Sequence, residues 1–297
     1  MSDDGSEEQG SLRSLNLRLP PLPQTLPQVL ELLHEPGFVT TEDLTEVVQG
    51  DPAAVARLLK HINSAYYGLR RSITDVERAI RMMGPTTATG TVISLCMLEM
   101  SELMEGPAES CFRSILRHSE ATAFLTRHLL NGKAPEEGEE APEEGVQPGG
   151  DGFTEGLLHD FGKLVLIYNY PEKAVSIYED RVFEEYLAGT NPRVLEQLVF
   201  GCDHTEAGGY AASEMNFPRA LIDVIRYHHG PDEAKLKADS LETVRAVSAA
   251  NRATKAMGSA FVGLHPTEAE LDWETCAEDP IWAHYLDGGE EDDDPQP

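Results

Sequence analysis

The sequence predicts an all-α protein. Apolar residues recur with a period close to 3.6 in one segment after another, which is the pattern of amphipathic helices. Many of these segments open with a side chain that can cap a helix and close at glycine or proline. No segment alternates apolar and polar residues between hairpin turns, so nothing in the chain indicates a β-sheet.

Helix starts are marked most clearly at three places. The pair Asp51-Pro52 combines a capping side chain with proline at the first helical position. Thr74 and Glu77, like Asp203 and Glu206, have the spacing of a capping box. Together with the periodicity, these signals predict helices over residues 24–34, 41–49, 53–62, 75–83, 86–104, 111–130, 153–168, 171–187, 192–201, 203–215, 218–229 and 241–257.

Three segments lack the apolar residues that a core requires. Residues 131–152 are dominated by Gly, Pro and Glu, which predicts a flexible acidic insertion between two helices. Residues 1–18 are predicted to be disordered, and residues 261–297 form a C-terminal segment with an acidic tail. Within the helices, Gly156 and Gly162 are predicted to permit close packing against a neighbouring helix.

The composition of the chain indicates its cellular compartment. No run of about 18 uncharged apolar residues is present, and the acidic N-terminus lacks the basic start and apolar stretch of a secretory signal. We therefore expect a cytoplasmic protein that makes no membrane contact. The four cysteines are widely spaced without a CxxC pair, which predicts reduced thiols rather than disulfides or a zinc ribbon.

The charge balance is strongly acidic. The chain has 23 Lys and Arg against 52 Asp and Glu, a formal net charge of −29. Two explanations stay open: acidic tails and loops on an ordinary domain, or adaptation of the whole surface to a halophilic host. In both cases the clustered basic residues that bind nucleic-acid backbones are missing, so no bulk binding to DNA or RNA is expected.

Histidines are concentrated at positions where they could act together. Taken singly, each has a structural explanation: His118 can be a core histidine bonded to a carbonyl, and His204 can be exposed in a first helical turn. The pair His159-Asp160 can fix two helices to one another. His228 and His229 precede Gly230 at a helix end, where imidazoles can cap carbonyl groups.

The chain resembles the HDOD domain family in five segments that occur in the same order. They are LPPLPQTLPQVLELL, DPAAVARLLKHINSAYYG, ITDVERAIRMMG, FTEGLLHDFGKLVL and FGCDHTEAGGYAASEMNFPRALIDVIRYHHG. The resemblance covers about residues 19–257 and implies an N-terminal helical lobe over 19–110, packed on an HD-like helical bundle over 111–260. It also implies a bacterial protein of signal-responsive regulation, related to metal-dependent HD and HD-GYP phosphohydrolases.

The resemblance further implies a metal pocket in which one ligand is altered. In catalytic relatives, ligands from separate helices hold one or two metals, which generate hydroxide and stabilise a phosphoryl oxygen. Asn251 falls where those relatives have a closing aspartate, and a neutral amide is a weak ligand. Lys163 has two interpretations, a phosphate contact in an active enzyme or a surface cation. The implied ligand positions are those of His118, His159, Asp160, His204, His228 or His229, and Asn251.

Three functions follow as hypotheses. The leading one is a non-catalytic regulatory protein that uses the altered pocket as scaffold or sensor, with at most one divalent transition metal (Fe, Ni, Mn or Zn) and with protein partners in bacterial signalling. The second is a metal-dependent phosphohydrolase or phosphodiesterase acting on a nucleotide or cyclic dinucleotide. The third is a small-molecule sensor that uses the same cavity without a metal. The residue at position 251 discriminates between the first two.

Overall fold

The computed structural model describes residues 17–34, 39–64, 69, 71–131, 152–178, 192–231 and 235–257. Within these ranges every regular element is a helix, which confirms the predicted fold class. In chain order the helices are α1 (Thr25–Leu32), α2 (Thr41–Gln49), α3 (Pro52–Ile62), α4 (Val76–Met83), α5 (Pro85–Ser101), α6 (Pro107–Asn131), α7 (Phe153–Leu158), α8 (Phe161–Asn169), α9 (Pro171–Tyr178), α10 (Pro192–Phe200), α11 (His204–Glu214), α12 (Arg219–Tyr227) and α13 (Ala238–Met257).

Helix α5 joins two groups of helices. It is apolar around most of its circumference, and such a helix is stable only when it is surrounded by protein. It contacts α1, α2, α3 and α4 on the N-terminal side and α6 and α7 on the other. One continuous apolar core therefore extends from Leu26 of α1 through Ile93 of α5 to Ile225 of α12.

The second group is a bundle around the long helix α6. Helix α6 packs against α7 and α13, while α11 packs between α8 and α12. Small residues line the contact between α6 and α13, where Ala246, Ala249 and Ala250 meet Leu125 and Leu129. This arrangement brings the middle of α6, the junction of α7 with α8, the start of α11, the end of α12 and α13 to one place.

The two predicted close-packing glycines lie at helix contacts. A Cβ atom on Gly156 would stand 2.6 Å from the Cα atom of Ala123 in α6. A Cβ atom on Gly162 would collide with the carbonyl oxygen of His204 and lie 2.7 Å from the nitrogen of Gly208 in α11. The prediction is confirmed, and at Gly162 it sets how closely α8 approaches α11.

Most of the predicted helix starts agree with the structure. The Asp51 carboxylate accepts from the backbone N–H groups of Ala53 and Ala54. Asp203 and Glu206 form the predicted capping box at the start of α11. The capping box predicted from Thr74 is wrong, because Asp75 is the N-cap of α4 and accepts from the N–H of Arg78. Asp caps a helix more strongly than Thr, and Asp75 lies one residue nearer the helix than Thr74.

Side-chain hydrogen bonds fasten two segments outside the helices. The side chain of Asn63, at the end of α3, donates to the carbonyls of Leu59 and Ile73 and accepts from the Ile73 N–H. Leu17 is buried, and the backbone N–H of Arg18 donates to Asn169. Several predictions concern residues outside the described ranges: those for residues 1–16, for most of the insertion over 131–152, for 179–187 and for most of the C-terminal segment.

None of the described helices combines the length and the apolar composition needed to cross a lipid bilayer.

The acidic surface leads to a prediction about salt. Exposed carboxylates occur within the folded helices, for example at Glu42, Asp43 and Glu46 of α2. Salt screens their repulsion, since the Debye length falls from about 10 Å at 0.1 M to about 3 Å at 1 M. We expect a higher Tm in potassium chloride near 1 M than in dilute buffer, measured by circular dichroism. An equal or lower Tm would show that repulsion between the carboxylates does not destabilise the fold.

Candidate metal centre

The His159-Asp160 pair lies in a break between two helices. The sequence predicted one helix over residues 153–168, but α7 ends at Leu158 and α8 begins at Phe161. The break occurs at Asp160, whose φ of −95° and ψ of 17° leave the helical region. The single-helix prediction is wrong because apolar residues continue at helical spacing on both sides of Asp160, and periodicity does not detect a kink at one residue. The kink places the Asp160 carboxylate at the amino end of α8, where the helix dipole favours a negative charge.

Two of the buried histidines present an unprotonated nitrogen to the pocket. The Nδ1 atom of His159 lies 2.7 Å from the carbonyl oxygen of Gly156. The Nδ1 atom of His228 lies 3.1 Å from the carbonyl oxygen of Val224 and 3.2 Å from that of Ile225. Because a carbonyl oxygen only accepts, each Nδ1 carries the hydrogen, and the neutral ring keeps its lone pair on Nε2. His228 thus caps helix α12, as one interpretation of the sequence held, and also faces the pocket.

His204 is oriented in the same way by a carboxylate. Its Nδ1 atom lies 2.6 Å from Oε2 of Glu196, and its backbone N–H donates to the same oxygen at 2.8 Å. The Nε2 atom of His204 is directed into the pocket, 2.9 Å from Nε2 of His229. His204 is buried at the start of α11, so the interpretation of it as an exposed first-turn residue is wrong.

The imidazole nitrogens converge on Asp160, whose side chain is fully buried. Oδ1 of Asp160 lies 3.4 Å from Nε2 of His204 and 3.6 Å from Nε2 of His228. Oδ2 lies 3.3 Å from Nε2 of His159 and 3.7 Å from Nε2 of His118. The residues form two overlapping sets of possible metal ligands, Asp160 with His204, His228 and His229, and Asp160 with His118 and His159.

Three pocket atoms lack a hydrogen-bond partner. They are Nε2 of His159, Oδ1 of Asp160 and Nε2 of His228, all of them buried. Leaving such groups unpaired is costly, so buried polar atoms are almost always satisfied. Each of the three can offer a lone pair, and a shared cation would satisfy them together.

The spacing of these atoms also suits a metal ion. Ligands at about 2.0–2.2 Å from a transition metal lie roughly 3–3.5 Å from one another. The contacts of Asp160 with His159 and His204, at 3.3 and 3.4 Å, lie in that range, and the contact with His228, at 3.6 Å, lies just beyond it. The buried group could therefore hold a divalent metal with little rearrangement of its side chains.

Protonation of the side chains that line the pocket is the alternative to binding a metal, and burial disfavours protonation of the histidines. It lowers the pKa of His118 well below the usual value and the pKa of His228 to about 3. It also lowers the pKa of His229. Burial raises the pKa of Asp160, but the neighbouring His159 and Lys163 outweigh it, so the net pKa of this carboxyl lies well below its usual range. An ionised Asp160 beside the neutral imidazoles of His118 and His228 attracts a cation.

His118 contacts Asn251, the residue at the altered ligand position. Its Nε2 atom lies 3.0 Å from Oδ1 of Asn251, and Asn251 is itself buried on α13. An amide oxygen only accepts, so this contact places the hydrogen of His118 on Nε2 and withdraws that lone pair from a metal. The structure thus brings all seven candidate ligand residues together, but His118 faces Asn251 more closely than Asp160.

Lys163 is part of the pocket wall. Its ammonium lies 2.5 Å from Oδ2 of Asp160, and 12% of its side chain is exposed. The interpretation as a surface cation is therefore wrong. The ion pair neutralises part of the charge that a metal would otherwise meet on Asp160.

Two residues that support the site were missed in the sequence. Glu196 is fully buried on α10, and its second oxygen lies 3.0 Å from the hydroxyl of Tyr178 on α9. Burial and the Glu196 carboxylate raise the pKa of Tyr178, which keeps this hydroxyl as a donor. The available signal was a single glutamate on the apolar face of residues 192–200, flanked by Val199 and Phe200.

Comparison with known proteins agrees with the helical fold. A relative in Treponema pallidum (strain Nichols), an uncharacterized protein, is 25% identical over 221 residues, which are 73% of this chain and 39% of that protein. The chain therefore spans well under half of the length of this relative.

Solved structures share the architecture at low identity. An HDOD domain protein of Geobacter sulfurreducens has a TM-score of 0.68 at 17% identity, covering 97% of this chain and 91% of the other. A candidate signal transduction protein of Marinobacter aquaeolei has a TM-score of 0.63 at 19% identity, covering 96% and 64%. A candidate phosphohydrolase of Shewanella amazonensis has a TM-score of 0.59 at 18% identity, covering 93% and 91%. The sequence model of the HDOD domain matches residues 19–231, and the chain belongs to the HDOD domain family.

Proposed function

We propose that this chain is a regulatory protein of bacterial signal transduction whose pocket around Asp160 holds one divalent transition metal without hydrolysing phosphoesters. The observation that carries the proposal is the contact of 3.0 Å between His118 and Asn251, which disables one of the two ligand sets. The remaining set, Asp160 with His204, His228 and His229, is not affected by this contact, so the pocket can serve as scaffold or sensor.

The donor atoms favour one metal of the transition series. Nε2 atoms of His159, His204 and His228 surround one carboxylate, and imidazole suits Zn, Fe and Ni better than Mg or Ca. Mn is compatible through the carboxylate oxygens. A bound metal would supply Lewis acidity and lower the pKa of a bound water, while Asp160, His204, His228 and His229 would hold it.

A second metal position lacks negative charge. Hydrolysis by two metals needs carboxylates that bridge the ions and offset their repulsion. Here Asn251 is neutral, and Oδ2 of Asp160 is paired with Lys163. Together with the withdrawn lone pair of His118, these contacts leave the second set, His118 with His159 and Asp160, short of ligands.

A phosphohydrolase is the second candidate. It is favoured by the histidine–aspartate cluster itself and by Lys163, which stands within the pocket wall where a phosphate group could approach it. One similar fold, in Shewanella amazonensis, bears the name of a candidate phosphohydrolase. The substrate would then be a nucleotide or cyclic dinucleotide, and the reaction would require both ligand sets to be loaded.

Replacing Asn251 by aspartate tests the two candidates. We expect Asn251→Asp to raise metal occupancy, because it adds beside His118 a negatively charged carboxylate that can itself bind a metal. Occupancy is measured by elemental analysis after loading with Mn²⁺, Fe²⁺, Ni²⁺ or Zn²⁺. Turnover is measured on an aryl phosphodiester and on cyclic di-GMP.

The matched controls are the unaltered protein and His159→Ala. We expect no turnover by the unaltered protein above the His159→Ala background, and slow turnover at most by Asn251→Asp. Robust activity of the unaltered protein that disappears in His159→Ala would replace the regulatory proposal by the hydrolase.

Partners belong to the same proposal. A regulatory role requires a protein that reads the state of the pocket, and a nucleotide or another small molecule could set that state. A pull-down with the unaltered chain, compared with His159→Ala, identifies proteins whose capture depends on the pocket. If both chains capture the same proteins, the pocket has no role in binding these signalling partners.

A further inference from the structure

We infer that Glu196 is the positioning residue that prepares His204 for a metal, and that Tyr178 holds Glu196 in place. The inference deepens the proposed metal pocket and rests on it for its function. Its structural core is a chain of two hydrogen bonds that runs from α9 through α10 to the first residue of α11.

The first step is the double contact of one carboxylate oxygen. Oε2 of Glu196 accepts both from the backbone N–H of His204, at 2.8 Å, and from Nδ1 of the same residue, at 2.6 Å. The backbone contact satisfies one of the N–H groups that every helix start leaves unpaired. The ring contact adds something that helix formation does not need: it fixes the hydrogen on Nδ1 and the lone pair on Nε2.

The second step is the direction of that lone pair. Nε2 of His204 lies 3.4 Å from Oδ1 of Asp160, the oxygen that has no hydrogen-bond partner. His159 and His228 reach the same tautomer through backbone carbonyls, whereas His204 alone of the three uses a charged group. A carboxylate on the far side of an imidazole raises the basicity of the ring and strengthens its bond to a metal.

The third step is the support of Glu196 itself. Both Glu196 and the ring of His204 are almost fully buried, so the carboxylate cannot exchange these partners for water. Oε1 accepts from the hydroxyl of Tyr178 at 3.0 Å. All the acceptor positions used by Glu196 thus serve one geometry, that of the His204 ring.

His229 completes the arrangement in the metal-free protein. With the lone pair of His204 on Nε2, the contact of 2.9 Å requires His229 to donate from its own Nε2. A metal that takes the lone pair of His204 must therefore break this hydrogen bond. His229, which lies just past the end of α12, either becomes a ligand after losing that hydrogen or turns away.

The experiment compares Glu196→Gln, Glu196→Leu and Tyr178→Phe with the unaltered protein. Glu196→Gln keeps an oxygen that can accept from His204, removes the charge and places an NH2 group opposite the Tyr178 hydroxyl, so we expect metal affinity to fall by about 10- to 100-fold. Tyr178→Phe should cause a smaller loss. Affinity is measured by competition of Zn²⁺ with a chromophoric chelator. The control is Glu120→Gln, which replaces a buried carboxyl group on another helix, α6, and should leave the affinity unchanged.

The second readout is the tautomer of His204 in the metal-free protein, obtained from two-bond nitrogen–proton NMR correlations of the rings. We expect hydrogen on Nδ1 in the unaltered chain and in Glu196→Gln, and a mixed population in Glu196→Leu. A ring that carries its hydrogen on Nε2 in the unaltered chain would overturn the inference, as would equal Zn²⁺ affinity of the unaltered chain and Glu196→Gln.

The two readouts separate this inference from the proposed function. If the unaltered protein binds no metal while its His204 tautomer depends on Glu196, the metal proposal fails and the positioning role stands. If metal binds normally in every variant and the tautomer does not respond to Glu196→Leu, the pocket stands and the positioning role fails.

Discussion

Replacing Gly162 by alanine is expected to lower the free energy of unfolding by about 3 kcal/mol and to impair metal binding. The added methyl group would collide with the carbonyl oxygen of His204 and lie 2.7 Å from the nitrogen of Gly208. Both neighbours are backbone atoms in the first turns of α11, so no flexible side chain can move aside. Relief requires α8 and α11 to separate.

That separation would act directly on the pocket. Gly162 is two residues after Asp160, and the colliding carbonyl belongs to His204. The distance of 3.4 Å between Oδ1 of Asp160 and Nε2 of His204 would increase, and the two ligands would no longer suit one ion.

Urea denaturation and Zn²⁺ competition measure the two effects. Gly230→Ala is the matched control, because a Cβ atom on Gly230 has no neighbour within 4 Å and should change neither value. If Gly162→Ala were as stable as the unaltered protein, the contact of α8 with α11 would not be as close as the structure has it.

The fold was predictable because its signals are local. A capping side chain such as Asp51 or Asp203 bonds to N–H groups two or three residues away, so the helix start is recorded within one turn of sequence. The failure at Thr74 is also local, since Asp75 competes for the same role one residue later. The mostly apolar composition of α5 predicted a helix there, and its burial between both groups of helices agrees with that composition.

The site was only partly predictable because its decisive contacts join distant residues. The resemblance to a family supplied the candidates from His118 to Asn251, but no spacing rule states that these two lie 3.0 Å apart. Glu196 acts on His204 from the preceding helix, and a lone glutamate on an apolar helix face has the same appearance whether or not it has a partner. The kink at Asp160 is likewise invisible in an apolar helical pattern.

The second large effect concerns pH. We expect the metal-free protein to lose about 2–3 kcal/mol of its unfolding free energy between pH 7.5 and pH 5.5. The groups responsible are His118 and His228, whose pKa values burial holds below the ordinary value near 6.5, at about 3 for His228. Burial also lowers the pKa of His229, but this side chain is partly exposed, and the value of about 2–3 kcal/mol refers to His118 and His228 alone.

The sign follows from which state takes up protons. In the folded protein these imidazoles stay neutral as the pH falls, whereas in the unfolded chain they are protonated below about pH 6.5. Protons then favour the unfolded chain, so the stability is complete above about pH 6.5 and decreases below it, by up to about 1.4 kcal/mol per pH unit for each group. The groups facing them do not reverse the sign: Asp160 favours protonation and Lys163 opposes it, and the net shift is downward.

Changes in surface charge would have the opposite effect on stability, so the direction of the change identifies its cause. The net charge of −29 becomes less negative as histidines and carboxylates take up protons, and reduced repulsion alone would raise stability. Urea unfolding in the presence of a chelator therefore distinguishes a buried-histidine effect from a surface effect. A Tm or unfolding free energy that stays level or rises from pH 7.5 to pH 5.5 would contradict the prediction.

Two variants assign the effect to the pocket. His118→Gln can still donate to Asn251 but cannot be protonated, so about half of the pH dependence should disappear. His34→Gln alters an exposed histidine on the other group of helices and should leave the dependence intact. Loading with Zn²⁺ should steepen it, because a metal binds only to the unprotonated rings and is released as they are protonated. His228 thus contributes both to the acid sensitivity of the pocket and to its capacity to bind a metal.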